Sequence, residues 1–323
     1  MKKHYLRDYW WLILAGTLFV SIPNFAGQFW TYVFTEILIM GLWATSFNLL
    51  YGYMGEVSFG QAAYYGMGAY TTALLLIKTS IPFPIPVIAS AVIAALFGLI
   101  FGLFIVRLTG IYFAMLAMAF GEFIFYIIFQ WYDFTGGDNG IQGVPRFWLF
   151  ESGYAYYYYT LFLVTVSLII LWFITNSPFG YTLRAIRDNK DRTRFIGINI
   201  QKYMLINFII SCMFTGLAGS LWASFSRSIS PDLTGWKLSG IPVFMAIMGG
   251  RMNFFGPFVG AAVYTFLFAF VIGYTEYWPI IIGTIIVLLI IFRPGGILGT
   301  LAFDISKATK AVQLKRTGEI PLR

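Results

Sequence analysis

Long apolar runs separated by short polar ones fill this chain, and most runs have the length of a bilayer-spanning helix. Crossing the hydrocarbon core takes ~20 mostly apolar residues. Such runs fall at about 10–27, 30–51, 58–78, 84–107, 110–132, 155–175, 203–225, 239–250, 256–273 and 277–293. Residues 58–78 are interrupted by glycine, and 239–250 is too short to cross unaided. The pattern predicts an all-α polytopic membrane protein of about ten segments: a membrane domain over 1–302 and a tail over 303–323. The N-terminal run looks like a signal peptide, but SIPNFAGQ offers no small-x-small cleavage site, so it reads as a retained first span.

Composition agrees. The chain is 59 % hydrophobic and 11 % charged, against roughly 25 % charged in soluble domains. The net charge of +8 raises nucleic acid as a partner, but the position of the charges removes it. With the N-terminus inside, the alternating spans leave only Lys78, Arg146, Arg227 and Lys237 outside, and the other basic residues fall in inner loops and tails. That asymmetry puts both termini and residues 176–202 in the cytoplasm, where the basic tail can hold anionic membrane lipid. Cys212 and His4 are the sole cysteine and histidine, so no disulfide, metal centre or cofactor is expected. The chain has no G-x-x-x-x-G-K-[ST] phosphate loop and no G-x-S-x-G, so neither an ATPase nor a hydrolase site is visible.

Residues 176–202 are the one strongly hydrophilic stretch deep in the chain. Arg184, Arg187, Lys190, Arg192, Arg194 and Lys202 stand there against Asp188 and Asp191. Ser177 suits an N-cap with Pro178 at the first helical position. Phe179, Leu183 and Ile186 follow at helical spacing, giving a short helix one apolar stripe, and Asp188 is placed to pair with Arg192. Two readings stand: a solvated basic loop, or a docking helix for a soluble partner.

Other polar residues sit among the apolar runs. GYMGEVSFGQAAYYGMGAY at 52–70 holds five glycines, which serve either close packing or a broken helix lining a path. In the second case Ser58 and Gln61 offer polar contacts, with Asn48 and Glu36 weaker candidates on the preceding run. Glu122 lies well inside 110–132 and is either a hydrogen-bonded structural carboxylate, a pathway residue or a proton-coupling site. A division into five and five segments makes 58–78 and 239–250 correspond, as the irregular segments of transporters often do. The outer loops 133–146 and 226–240 present Asp138, Asn139, Asp232 and Trp236 to a partner. Asp138 and Asn139 lack the terminal glutamate of a calcium loop.

Taken together, several stretches resemble the permeases of branched-chain amino-acid ABC importers, on the LivM side of the pair. They are GYMGEVSFGQAAYYGMGAYTTALL at 52–75, FTGGDNGIQGVP at 134–145, SPFGYTLRAIRDNKDRTRFIGI at 177–198, GLAGSLWASFSRSISPDLTGWKLSG at 216–240 and MGGRMNFFGPFVGAA at 248–262. The resemblance implies a bacterial inner-membrane subunit working with a second homologous permease, two cytoplasmic ATPases and a periplasmic or extracellular binding protein. It further implies that Ser177, Pro178, Phe179, Gly180, Leu183, Arg184, Ala185, Ile186, Arg187, Asp188 and Asn189 form the helix that docks on the ATPase. The outer loops would meet the binding protein. Related permeases carry urea or short amides, so the cargo stays open. Charge reversal at Arg184 and Arg187 is expected to uncouple transport while sparing the fold. The alternative is an ion-coupled secondary transporter with Glu122 as its coupling site.

Overall fold

A computed structural model of the chain describes residues 19–21, 23, 27–79, 81, 84–145, 152–273, 277–293 and 295–299. The tail at 303–323, Arg146 and most of the expected first span therefore lie outside the described residues. The architecture is all-α. Helix α1 covers Gln28–Asn48 and runs into a π-helical turn, Leu49–Met54; α2 is Gln61–Lys78, α3 Pro84–Ile105 and α4 Ile111–Gln130. After the outer loop come α5 (Gly153–Thr175), the short α6 (Pro178–Asp188) and α7 (Lys190–Phe195), then α8 (Ile200–Ser226). The chain continues through α9 (Trp236–Gly249), α10 (Gly256–Val271) and α11 (Trp278–Phe292).

Five of these helices are long and apolar enough to cross a membrane: α1 with its π-helical turn, α3, α4, α5 and α8. Their burial sorts them into an inner and an outer layer. The most apolar window of α1 is 83 % buried, whereas those of α4 and α5 are 28 % buried and present their remaining apolar surface outward, as lipid-facing helices do. Helix α8 is the axis, packed against α1, α2 and α3. It meets α2 without room for side chains. A Cβ on Gly219 would stand 1.8 Å from the Tyr65 carbonyl oxygen, and one on Gly68 2.0 Å from that of Gly216. Small residues at this crossing let two backbones touch, the usual route to tight helix association in lipid.

The glycine-rich run therefore packs rather than breaks. Helix α2 is continuous from Gln61 to Lys78, so of the two readings open for this run close packing holds and the broken helix does not. The irregular backbone lies upstream, in the π-helical turn and the non-helical residues 55–60. The short run at 239–250 becomes the 14-residue α9, which at the α-helical rise spans ~21 Å of a ~30 Å core. It packs on α10 so closely that a Cβ on Gly260 would fall 1.8 Å from the Met245 carbonyl oxygen.

The loops 133–146 and 226–240 are joined. Strand β1 (Ile141–Gln142) pairs antiparallel with β2 (Ser228–Ile229), setting Ile141 opposite Ile229. The chain then turns inward: the 3-10 turn Pro231–Thr234 packs on α2 and α4, with Thr234 buried against Gly66.

Candidate functional site

Two surfaces and one interior network carry the polar side chains. The first surface is built on α6. Ser177 is its N-cap with extended backbone, and Pro178 occupies the first turn. The Ser177 hydroxyl, however, donates back to the Ile174 carbonyl at 2.7 Å and makes no capping bond. A Cβ on Gly180 would meet the Thr175 carbonyl oxygen at 2.2 Å, so glycine lets α6 fold tightly under the end of α5. Leu183 and Ile186 are fully buried, and Phe179 stacks on Tyr203 with ring centroids 5.6 Å apart. This is the apolar stripe the spacing predicts.

The charges on α6 point elsewhere than expected. Arg187 donates to the Gly52 carbonyl at 2.7 Å and meets Met252 Sδ at 3.1 Å. Arg184 reaches the Thr175 carbonyl at 3.3 Å and lies over the rings of Tyr53 and Tyr181. Asp188 pairs with Arg187 at 3.0 Å rather than with Arg192, because Asn189 breaks the helix and caps α7 by accepting the Arg192 N–H at 2.8 Å. Both guanidiniums thus fasten α6 to the body of the chain. Arg187→Glu sets a carboxylate against the Gly52 carbonyl and is expected to cost about 1–2 kcal/mol of stability, lowering the melting temperature in detergent by several degrees. An unchanged melting temperature would show that the arginine is free to point outward. The expectation that charge reversal here spares the fold is revised accordingly.

What faces outward mixes charge, in exposed Asp188, Asp191, Arg192 and Arg194, with aromatic and apolar surface. Tyr181 is 59 % exposed, Phe195 90 % and Ile196 70 %. Sequence reasoning stopped at Asn189 and missed the last two, although adjacent apolar residues inside a basic loop are a legible signal. It also missed Glu56. That carboxylate is buried, accepts the Gly110 N–H at 2.8 Å and forms an ion pair with Lys190.

The second surface surrounds the start of α9. Glu122 Oε1 accepts the Trp236 N–H at 2.9 Å, so its carboxylate sits at the positive end of the helix dipole. Glu122 lies eight residues before the end of α4 at Gln130, ~12 Å down that helix. Helix α9 therefore begins part-way down the bundle. Asp232, Trp236 and Lys237 are exposed beside it, whereas Asp138 and Asn139 stay on the exposed tip of the outer loop, where Asn139 donates to the Tyr132 hydroxyl at 3.3 Å. Asp232 and Trp236, grouped with that loop by sequence, belong to the deeper surface.

Asn48, Ser58 and Gln61 are interior. Gln61 donates to Ser211 at 3.4 Å and accepts from Thr215 at 3.0 Å; Ser46 and Thr215 share a hydrogen bond at 3.0 Å. Asn48 donates to the Arg251 carbonyl at 3.1 Å. Asn207 donates to the Leu49 carbonyl at 2.8 Å, supplying a partner where the π-helical turn departs from the regular ladder. The Gln61 bonds stitch α2 to α8, and the others tie α1 and its π-helical turn to α8 or to the turn after α9.

This arrangement has known relatives. The family described as "Branched-chain amino acid transport system / permease component" matches residues 29–291. The chain belongs to that family. It is a multi-pass membrane permease subunit of an ABC importer. The Escherichia coli high-affinity branched-chain amino acid permease protein LivM is 26 % identical over 314 residues, covering 89 % of this chain and 74 % of that protein. A probable LivM of Methanocaldococcus jannaschii is 23 % identical over 78 % of this permease and 88 % of its own length. A guanosine ABC transporter permease of Bacillus subtilis, NupQ, is 33 % identical, but over 33 % of each chain. No solved structure matches.

Proposed function

We propose that this permease forms half of the translocation path of an ATP-driven importer of branched-chain amino acids in a bacterial cytoplasmic membrane. Both termini and α6–α7 face the cytoplasm. A second homologous permease completes the path, two ATPases hydrolyse the nucleotide, and a binding protein outside delivers the cargo. Branched-chain amino acids are favoured because the LivM relatives align over most of the chain, while NupQ aligns over a third. The absence of any phosphate loop in the sequence fits a subunit whose energy comes from its partners.

The observation that carries the reading is the construction of α6 and α7. Buried Leu183 and Ile186 and the inward arginines fix the helix to the permease, leaving Tyr181, Phe195 and Ile196 exposed as a rigid knob for an ATPase. The path is assigned to the surface around the start of α9. Charged Asp232 and Lys237 exposed at that depth would be costly against lipid, and a wet passage between two permeases removes the cost. Asn48, Ser58 and Gln61 support that passage from behind, with Glu122 holding its edge.

Affinity purification from mild detergent tests the assembly. The second permease and the ATPases are expected to co-elute with the wild-type chain. Tyr181→Asp combined with Phe195→Asp should lose the ATPases, at least tenfold, while keeping the second permease and the melting temperature. ATPases retained at wild-type level by the double variant would defeat the docking assignment.

A further inference from the structure

The segment joining α1 to α2 is gripped from the cytoplasmic helices by two side chains, and it leads directly to α9. Arg187 holds the Gly52 carbonyl at 2.7 Å. Lys190, the first residue of α7, holds Glu56. The other oxygen of Glu56 accepts the Gly110 N–H at 2.8 Å, tying the segment to the turn before α4. Glu56 is 3 % exposed, so its contacts are not shared with bulk solvent.

The grip has no slack. Gly55 has φ +83°, and a Cβ there would lie 2.8 Å from Arg187 Cγ. A Cβ on Gly60 would lie 2.1 Å from the Ala117 carbonyl oxygen. Immediately beyond, α2 starts, and its Ala62 N–H is held by the Ser239 hydroxyl of α9 at 2.9 Å. A displacement of α7 is therefore passed by contact to Glu56, to the first turn of α2 and to the first turn of α9.

We propose that Glu56 and Lys190 form a permanently closed strut that converts movement of the docking helices into movement of α9 at the path. The inference rests on the importer reading. Glu56 is a positioning residue: it touches no cargo and no nucleotide. A buried carboxylate that loses its cation keeps only the Gly110 contact, and the energetic incentive to follow α7 is gone. The docking surface itself is untouched, since Tyr181 and Phe195 are separate side chains. What changes is the tightness of coupling.

The test uses the complete complex reconstituted in liposomes with labelled leucine, and reads the number of ATP molecules hydrolysed per leucine moved. Lys190→Ala and Glu56→Gln are each expected to raise that ratio ~10-fold, within the 5–150-fold range of ordinary coupling energies. Lys190→Arg, which keeps the cation, should restore it to within about twofold of wild type. Glu56→Gln still offers an oxygen to Gly110, so it carries the test where Lys190→Ala assembles poorly. A wild-type ratio in either assembled variant overturns the strut. So does failure of both to assemble while Lys190→Arg assembles, because that is a purely structural role. Wild-type leucine uptake that ignores ATP would instead sink the importer reading, and the strut with it.

Discussion

Replacing Gly219 by valine is expected to remove the folded permease from detergent extracts. The added Cβ would sit 1.8 Å from the Tyr65 carbonyl oxygen, a backbone atom that has nowhere to go. Tyr65 is itself stacked on Trp43 with ring centroids 4.2 Å apart. On the same crossing Gly68 rests on the Gly216 carbonyl, and Gly216 meets Ala94 of α3, so α8 cannot slide away from α2 without striking α3. Overpacking in a core costs ~1–3 kcal/mol where side chains can rearrange, and here the obstacle is backbone on both sides. Monodisperse protein on size exclusion should fall to a few per cent of wild type. Gly283→Ala is the control: it lies in α11 with nothing within 4 Å of the added atom, and its yield should match or exceed wild type. Equal recovery of Gly219→Val would mean that the helices stand further apart than described.

The second large effect concerns Glu122. Its role is to accept the Trp236 N–H and to lay negative charge at the start of α9. Glutamine keeps the acceptor and loses the charge; alanine loses both. Removing an acceptor at a helix start costs about 1–2 kcal/mol, and tenfold in an equilibrium is ~1.4 kcal/mol. ATP-driven uptake should therefore fall about tenfold in Glu122→Ala and stay above half in Glu122→Gln. The order is diagnostic. A proton-coupled transporter needs the titrating carboxylate, so glutamine would stop it as completely as alanine. Equal loss in both variants would return Glu122 to the centre of an ion-coupled mechanism.

Length and polarity of runs made the helices legible, because a bilayer imposes a minimum apolar length that the sequence cannot disguise. The start of α6 was equally legible, since Pro178 and the buried pair Leu183 and Ile186 act through local backbone and periodicity. Orientation was harder. Arg184 and Arg187 lie one and four positions after Leu183, on the edge of the buried stripe, and that spacing already placed them beside the body of the chain. Composition left a solvated basic loop and a docking helix both open, and the family resemblance assigned these arginines to the docking helix. The glycines of 52–70 left two readings open, since glycine serves a break and a close crossing alike, and only the partner backbone at Gly216 decides. Glu56 was passed over, and Gln61, though singled out as a polar contact, had no legible partner. Their partners Lys190, Ser211 and Thr215 are more than a hundred residues away, and no local rule reaches that far.

The pairing of Ile141 with Ile229 sets the unit in which this loop surface can change. Gly140 is pressed against the Ile229 carbonyl, where a Cβ would come within 1.9 Å, so either loop can accept only a narrow set of shapes from the other. On the proposed function, a delivery protein would meet both loops as one surface, although its halves lie far apart in the sequence. A graft that takes one loop from a relative and leaves its mate behind transplants half a surface, and with it a mismatch at the entrance to α9.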